Sequence, residues 1–173
     1  SDDTRLNTRA KFTRNEVYGV ASNASAALKQ LEGNRNIGEL GYTLSYSSLD
    51  NPMIPSSGVS LNLSQDFSGG DVSNFSTVFS GKYYHDFDRD LIGSLHMNAG
   101  HIFAFNSEDL PISDSFMEPG TLLKGFASRG ISPRLHPDLT NSKQEAIGGD
   151  TYFSGIAEVN FPIPVISNDY GIR

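Results

Sequence analysis

The chain has 173 residues, no cysteine and a formal net charge of −7. Disulfides, thiolate metal sites and thiol catalysis are thereby excluded, and a nucleic-acid partner, which needs clustered Lys and Arg, is argued against. The 17 glycines, 11 phenylalanines and 7 tyrosines sit amid Ser, Asn, Thr and Asp, a mixture suited to a sheet with one apolar and one polar face. No run of 18 apolar residues is present, so no transmembrane helix is predicted; a transmembrane strand needs only about 9–11 residues.

Residues 1–38 carry the weakest pattern. Lys11 to Val20 reads as a strand. Ala24 to Glu32 reads as a short helix in an extracellular loop, with Ser22 or Asn23 as N-cap and Gly33 just past its end. From Glu39 to Leu49 the period becomes two: Leu40, Tyr42, Leu44 and Tyr46 alternate with Glu39, Gly41, Thr43 and Ser45. A tight link from Asp50 to Gly58 contains Pro52 and Pro55. Val59, Leu61, Leu63 and Phe67 then oppose Ser60, Asn62, Ser64 and Asp66. A turn is centred on Gly69-Gly70-Asp71. Phe75, Phe79, Tyr83 and Phe87 oppose Ser76, Ser80, Lys82 and Asp86, and Asp88-Arg89-Asp90 makes a short turn. Leu91, Leu95, Met97, Phe103 and Phe105 oppose Ser94, His96 and Asn98. Residues 106–150 form a long loop without strong alternation, a length that marks functional loops. Finally Phe153, Ala157, Val159, Phe161 and Ile163 oppose Ser154, Glu158 and Asn160, and Tyr170 to Arg173 starts a further strand.

Alternation fits a membrane barrel and a soluble β-sandwich alike. Strands of 11–15 residues exceed the usual soluble length of about 5–6. Aromatics also gather near strand ends, where a barrel places its interfacial girdles. Both details favour an all-β, partial transmembrane antiparallel barrel of five to six strands with one long loop. Residues 1–173 would then be one piece of a single barrel domain, internal to a longer protein. Short links at 50–58, 88–90 and 164–169 would be periplasmic, and those at 68–73 and 106–150 extracellular.

No constellation supports an enzyme or a cofactor. Asp86-Phe87-Asp88-Arg89-Asp90 starts like a calcium loop but lacks the glycine and the bidentate acid that follow in one. His85, His96, His101 and His136 lack metal spacing. Asp109, Asp114 and Glu118 read as a solvated loop surface.

Leu122-Leu123-Lys124-Gly125-Phe126, followed by Gly130-Ile131-Ser132-Pro133-Arg134, resembles the loop signature of BamA-type outer-membrane assembly factors, the POTRA-barrel superfamily of insertases. Gly148-Gly149-Asp150-Thr151-Tyr152-Phe153 and Ala157-Glu158-Val159-Asn160-Phe161-Pro162 are similar to that family's double glycine and the strand it enters. Leu40-Gly41-Tyr42-Thr43-Leu44 with Leu49-Asp50-Asn51-Pro52 resembles it as well. The resemblance implies a barrel of about 16 strands preceded by POTRA domains, in the outer membrane of a Gram-negative bacterium. It also implies insertion of unfolded barrel clients into the bilayer alongside other complex subunits, without a cofactor. The signature loop, with Leu123, Lys124, Gly125, Phe126 and Gly130, is expected to fold into the lumen. Lys124 stands where the family has Arg, and is expected to pair with Glu158. Lys offers a point charge where Arg offers a planar fork, so that pair should be weaker. A related secretion pore or TamA-like factor is the alternative within the superfamily. A soluble β-sandwich binding module is the alternative outside it.

Overall fold

The computed structural model describes residues 3–20, 29, 31–87, 91–105, 115–116, 131–135 and 145–161. Eight strands appear in them. Thr4–Val17 (β1), Gly33–Ser47 (β2), Gly58–Gly70 (β3), Asn74–Asp86 (β4), Ile92–Ala104 (β5) and Thr151–Asn160 (β8) form one six-stranded sheet. Arg134–Leu135 (β6) and Glu145–Ala146 (β7) pair as a short ribbon inside the long loop. Every neighbour pair in the large sheet is antiparallel and follows chain order, so the sheet is a simple meander with β1 and β8 at its edges.

The five strongly alternating runs all become strands. β1 is a full strand of 14 residues, longer than its weak pattern suggests. Its outward positions mix Thr, Leu, Ala, Phe, Arg and Glu, and pairing with β2 along its whole length supplies what its own pattern lacks. The turn at Gly69-Gly70 is shorter than expected. Both glycines stay in β3, because β2 extends beyond β4 at that end and pairs with them through Gly38 and Ile37. The expected helix over 24–32, the turn at 88–90, the link at 164–169 and the strand start at 170–173 lie almost wholly outside the described residues.

The two faces are sharply different, and burial is reversed from that of a water-soluble sheet. The buried apolar side chains among the described residues are Ile37, Ile92 and Ile102, and all three lie on the polar face. On the apolar face Phe153 is 69% exposed and Leu40 62%. A soluble sandwich would cover that face with a second sheet; among the described residues nothing covers it.

The register gives the tilt. One cross-strand row on the apolar face reads Leu6, Leu44, Leu63, Phe79, Ala99, Phe153. Leu6 is the lower end of the apolar run on β1, which reaches up to Phe12. Phe153 is the upper end of the run on β8, which reaches down to Phe161. Across five interstrand spacings the apolar band therefore slides by six to eight residues, roughly 20–26 Å of strand against about 24 Å of sheet. That slide corresponds to a strand tilt of about 40–45°, the value transmembrane barrels adopt.

Aromatic side chains mark both borders of the band. Phe67 and Phe105 lie 5.7 Å apart between ring centroids, and Phe103 and Phe105 5.5 Å, at the long-loop end. At the short-turn end Tyr83 stacks on His85, and His85 meets Phe87 edge-on at 4.6 Å. Phe75 to His85 spans roughly 33 Å of strand, or about 23–25 Å along the normal at this tilt, matching the apolar band of about 25 Å in such barrels. One cross-strand row of this face is polar, Thr8, Tyr42, Gln65, Thr77, His101, Thr151, and it crosses the band diagonally, from just above Leu6 on β1 to just above Phe153 on β8. It is hydrogen-bonded within itself. Tyr42 Oη donates to Gln65, Gln65 Nε2 to Thr77 Oγ1 at 3.3 Å, and His101 Nδ1 meets Thr151 Oγ1 at 2.8 Å. Polar groups satisfied by one another cost far less at membrane depth than orphaned ones.

The link between β2 and β3 is stiffened by two side chains. Asp50 Oδ1 accepts from the Ser56 and Ser57 amides at 3.0 and 3.1 Å, and Asn51 Oδ1 accepts from the Met53 and Ile54 amides at 2.8 and 3.2 Å. The Ser56 hydroxyl, then the Ser57 amide, hold the Asp50 carboxyl well below the usual carboxylate range. The ionised form is the one bonded, so its contribution is fully present above the unfolded value near 4 and is lost only as pH falls through the depressed folded value. Asp50 should therefore stay ionised at pH 3, followed by its carboxyl carbon shift in detergent. Asp50→Ala should open the link to protease; a cleavage rate unchanged by the substitution would show that the carboxylate does not hold it.

Candidate functional site

The polar face carries the features that can do work. It is lined by small hydroxyl and amide residues interrupted by a few charges, and three constellations stand out.

The first is an ion pair spanning three strands. Arg9 on β1 and Asp66 on β3 both occupy the row of Gly41, which lies between them on β2. Arg9 Nε donates to Asp66 Oδ1 at 2.7 Å, a second guanidinium nitrogen meets Asp66 Oδ2, and Nη1 donates to Thr43 Oγ1 at 2.8 Å. A fork of this kind gives direction as well as strength. The bare backbone at Gly41 makes the reach possible: a Cβ there would collide with the Asp66 carboxylate and come within 2.8 Å of the Gln65 carbonyl oxygen. Lys11 and Glu39, directly paired in the next inward row, form a second ion pair at 3.3 Å. Nothing in the sequence reading singled out Arg9 or Asp66. Their common face was legible, but their register was not.

The second constellation seats the long loop. Tyr152 on β8 is paired with Gly100 on β5, and its ring lies over the glycine. Phe116, from the loop, packs edge-on against Tyr152 with centroids 4.7 Å apart. A Cβ on Gly100 would come within 2.8 Å of both rings. Phe116 is also stitched to Gly149 by two backbone hydrogen bonds of 2.9 and 3.0 Å. Ser132 Oγ accepts from the Gly148 amide at 2.8 Å, and the Pro133 carbonyl accepts from the Ile147 amide at 2.9 Å. Gly148 is buried with φ at +75°, a left-handed backbone that glycine adopts without strain. The double glycine is thus where separate parts of the loop meet the base of β8. Phe116 lies on the polar face of the sheet, and with it the described part of the loop around residue 116.

The third is a charged cluster nearer the short-turn end. Lys82 pairs with His96, and Ser94 pairs with both Tyr84 and Glu158. Tyr84 Oη lies 3.2 Å from His96 Nε2, the rings meeting edge-on at 5.6 Å. Glu158 therefore faces the same side as Lys82 and His96, diagonal to the latter. Of the expected site residues, Gly148, Gly149 and Glu158 are placed on or beside this face. Leu123, Lys124, Gly125, Phe126 and Gly130 lie outside the described residues.

An antiparallel meander tilted by about 40–45°, apolar without, polar within and carrying a loop on its inner face, is the wall of a transmembrane β-barrel. Comparison with known proteins agrees and goes further. The chain belongs to the Omp85 superfamily, whose domain matches residues 1–173. It is 28% identical over 165 residues to the outer membrane protein assembly factor BamA of Neorickettsia risticii, covering 94% of this chain and 21% of that protein. It is 25% identical over 153 residues to the sorting and assembly machinery component 50 homolog of Xenopus tropicalis, covering 86% of this chain and 31% of that protein. The fold superposes on the crystal structure of BamA from Haemophilus ducreyi lacking POTRA domains 1-3 with a TM-score of 0.78 at 17% identity, covering 98% of this chain and 36% of that one. The chain thus spans about a fifth to a third of the curated relatives it matches, and it is part of an outer-membrane barrel.

Proposed function

We propose that this sheet forms part of the wall of an assembly factor that folds and inserts other β-barrel proteins into the outer membrane of a Gram-negative bacterium. The observation that carries the reading is the superfamily match along the whole chain, joined to a long loop seated on the inner wall. Unfolded barrel clients, the lipid bilayer and the other subunits of an assembly complex are its partners. The end bearing the long loop faces outward from the cell, and the short links at 48–57 and 87–91 face the periplasm. Depletion of the protein should lower many outer-membrane barrels together while their precursors accumulate. Loss of one secreted protein with normal barrel levels would instead point to the secretion pore of a related family member.

The loop segment bearing Leu123, Lys124, Gly125, Phe126 and Gly130 sits, in this reading, against the inner wall, with Lys124 on Glu158. Support comes from Glu158 facing inward in a cluster with Lys82 and His96, and from Phe116 of the same loop lying on that face. Lys124→Glu and Glu158→Lys should each impair client insertion, and the double exchange should recover part of it through a coupling of about 1 kcal/mol. Additive losses would separate the two residues.

A further inference from the structure

We propose that the lipid-facing side of this wall carries phospholipid headgroups across the bilayer, along the polar row that runs from Thr8 on β1 to Thr151 on β8. The substrate is a phospholipid of either leaflet, and the activity is passive exchange between leaflets. The proposal rests on the wall spanning the membrane and is independent of the assembly role.

The polarity is confined to one row. The row below it, from Leu6 to Phe153, is apolar at every strand, and the row above it reads Ala10, Leu40, Phe67, Phe75, Phe103. A strand needs no polar side chain where it meets lipid, and polar groups at membrane depth are expensive and mark function. Six adjacent strands that each place one in a single register row are not a by-product of sheet formation.

The row also climbs. Its members are about 4.8 Å apart, so from first to last it covers roughly 24 Å and, at a tilt of about 40–45°, rises about 16 Å along the membrane normal. Below Thr8 on the same strand the outward positions are Leu6 and then Thr4. The step from Thr8 to Thr4 descends about another 10 Å. Interrupted only by Leu6, the polar line thus reaches from border to border of an apolar band of about 25 Å. A staple that only held strands together would have no reason to reach both borders.

The chemistry of the row suits a moving headgroup. It consists of Thr, Tyr, Gln and His, with no Lys, Arg, Asp or Glu to trap a phosphate or an ammonium. Thr8, Tyr42, His101 and Thr151 are exposed on the surface that meets lipid. The bonds along the row use part of each group's capacity. A hydroxyl offers one donor and two acceptor positions, and a primary amide two of each. Tyr42 gives its hydrogen to Gln65, and Gln65 gives one of its own to Thr77. A headgroup can therefore exchange one hydrogen bond for the next along the row while its acyl chains stay in hydrocarbon.

The test uses the native full-length protein in phosphatidylcholine vesicles holding a trace of phospholipid labelled with a fluorophore on a short acyl chain. Albumin, too large to pass a barrel lumen, extracts only the outer-leaflet probe, so protein-free vesicles release about half of it. With the protein, nearly all should become extractable within minutes. Gln65→Leu combined with Thr77→Val, which breaks the row at its middle, should slow this several-fold, as should His101→Phe. Phe79→Leu, in the apolar row below, should leave the rate unchanged. Labelled phosphatidylcholine and phosphatidylglycerol should move alike, because the row is without fixed charge. Folding of each variant is checked by heat-modifiable mobility, and either row variant alone suffices. Extraction that stops at the protein-free level, the result expected of a row that seats a membrane protein partner, would overturn the proposal. So would folded row variants with the parent's rate, equal slowing by Phe79→Leu, or movement of the anionic probe alone.

Discussion

Gly100→Val should lift the long loop off the inner wall. The ring of Tyr152 lies where the valine side chain would stand, and Phe116 is 2.8 Å from the first carbon added. Neither ring can retreat cheaply. Tyr152 is fixed by the β5–β8 register, and Phe116 by its two hydrogen bonds to Gly149. Overpacking of this kind costs about 1–3 kcal/mol, and breaking the loop contact relieves it. The ratio of seated to lifted loop should then fall roughly 5- to 150-fold. Limited proteolysis within residues 106–150, on the protein in its native membrane, reads that ratio directly. Gly100→Ala should give an intermediate rate, and Phe116→Ala, which removes the loop's own ring contact, should raise cleavage by itself and add little to Gly100→Val. Valine at this position with the parent's cleavage rate would mean that the loop is held elsewhere.

The second large effect is expected at Gly41, where a side chain must displace Asp66 from Arg9. Gly41→Val should lower the temperature at which the barrel loses its heat-modifiable mobility, through about 1–3 kcal/mol of overpacking and the lost pair. The pair itself is worth less than its geometry suggests. Arg9 and Asp66 side chains are 45% and 29% exposed, so solvent screens them, and a double-mutant cycle with Arg9→Ala and Asp66→Ala should give a coupling of about 1 kcal/mol, the upper end for such pairs. If Gly41→Val were as costly in an Asp66→Ala background as alone, collision with the carboxylate would not be the cause.

Gly41 stands in the sequence only as one member of an alternating run and of a family-like motif, and Gly100 does not stand out at all, while the glycines of the loop and strand entry have other roles. Gly148 and Gly149 were expected at the entry to a strand, and the structure places them at the foot of β8, joined to Ser132 and Phe116. A glycine in an alternating run looks the same whether it admits an ion pair, as Gly41 does, or seats aromatic rings, as Gly100 does. The difference is made by the residue opposite, one strand away.

The sequence by itself determined the strands and their faces. In an extended backbone successive side chains point to opposite sides, so which face receives Leu44 and which Thr43 is settled by covalent geometry within a few residues. It also determined that the apolar face would carry aromatics at its borders. Only the tertiary structure decided register. Slipping a strand by two residues preserves every face and changes every neighbour, so the meeting of Arg9 with Asp66, 57 residues apart, could not be read from alternation. Register also set the diagonal slide of the apolar band, and with it the tilt. The seat of Phe116 on Gly100 depended on the same choice, because a loop without periodicity is placed by the wall it meets and not by its own residues.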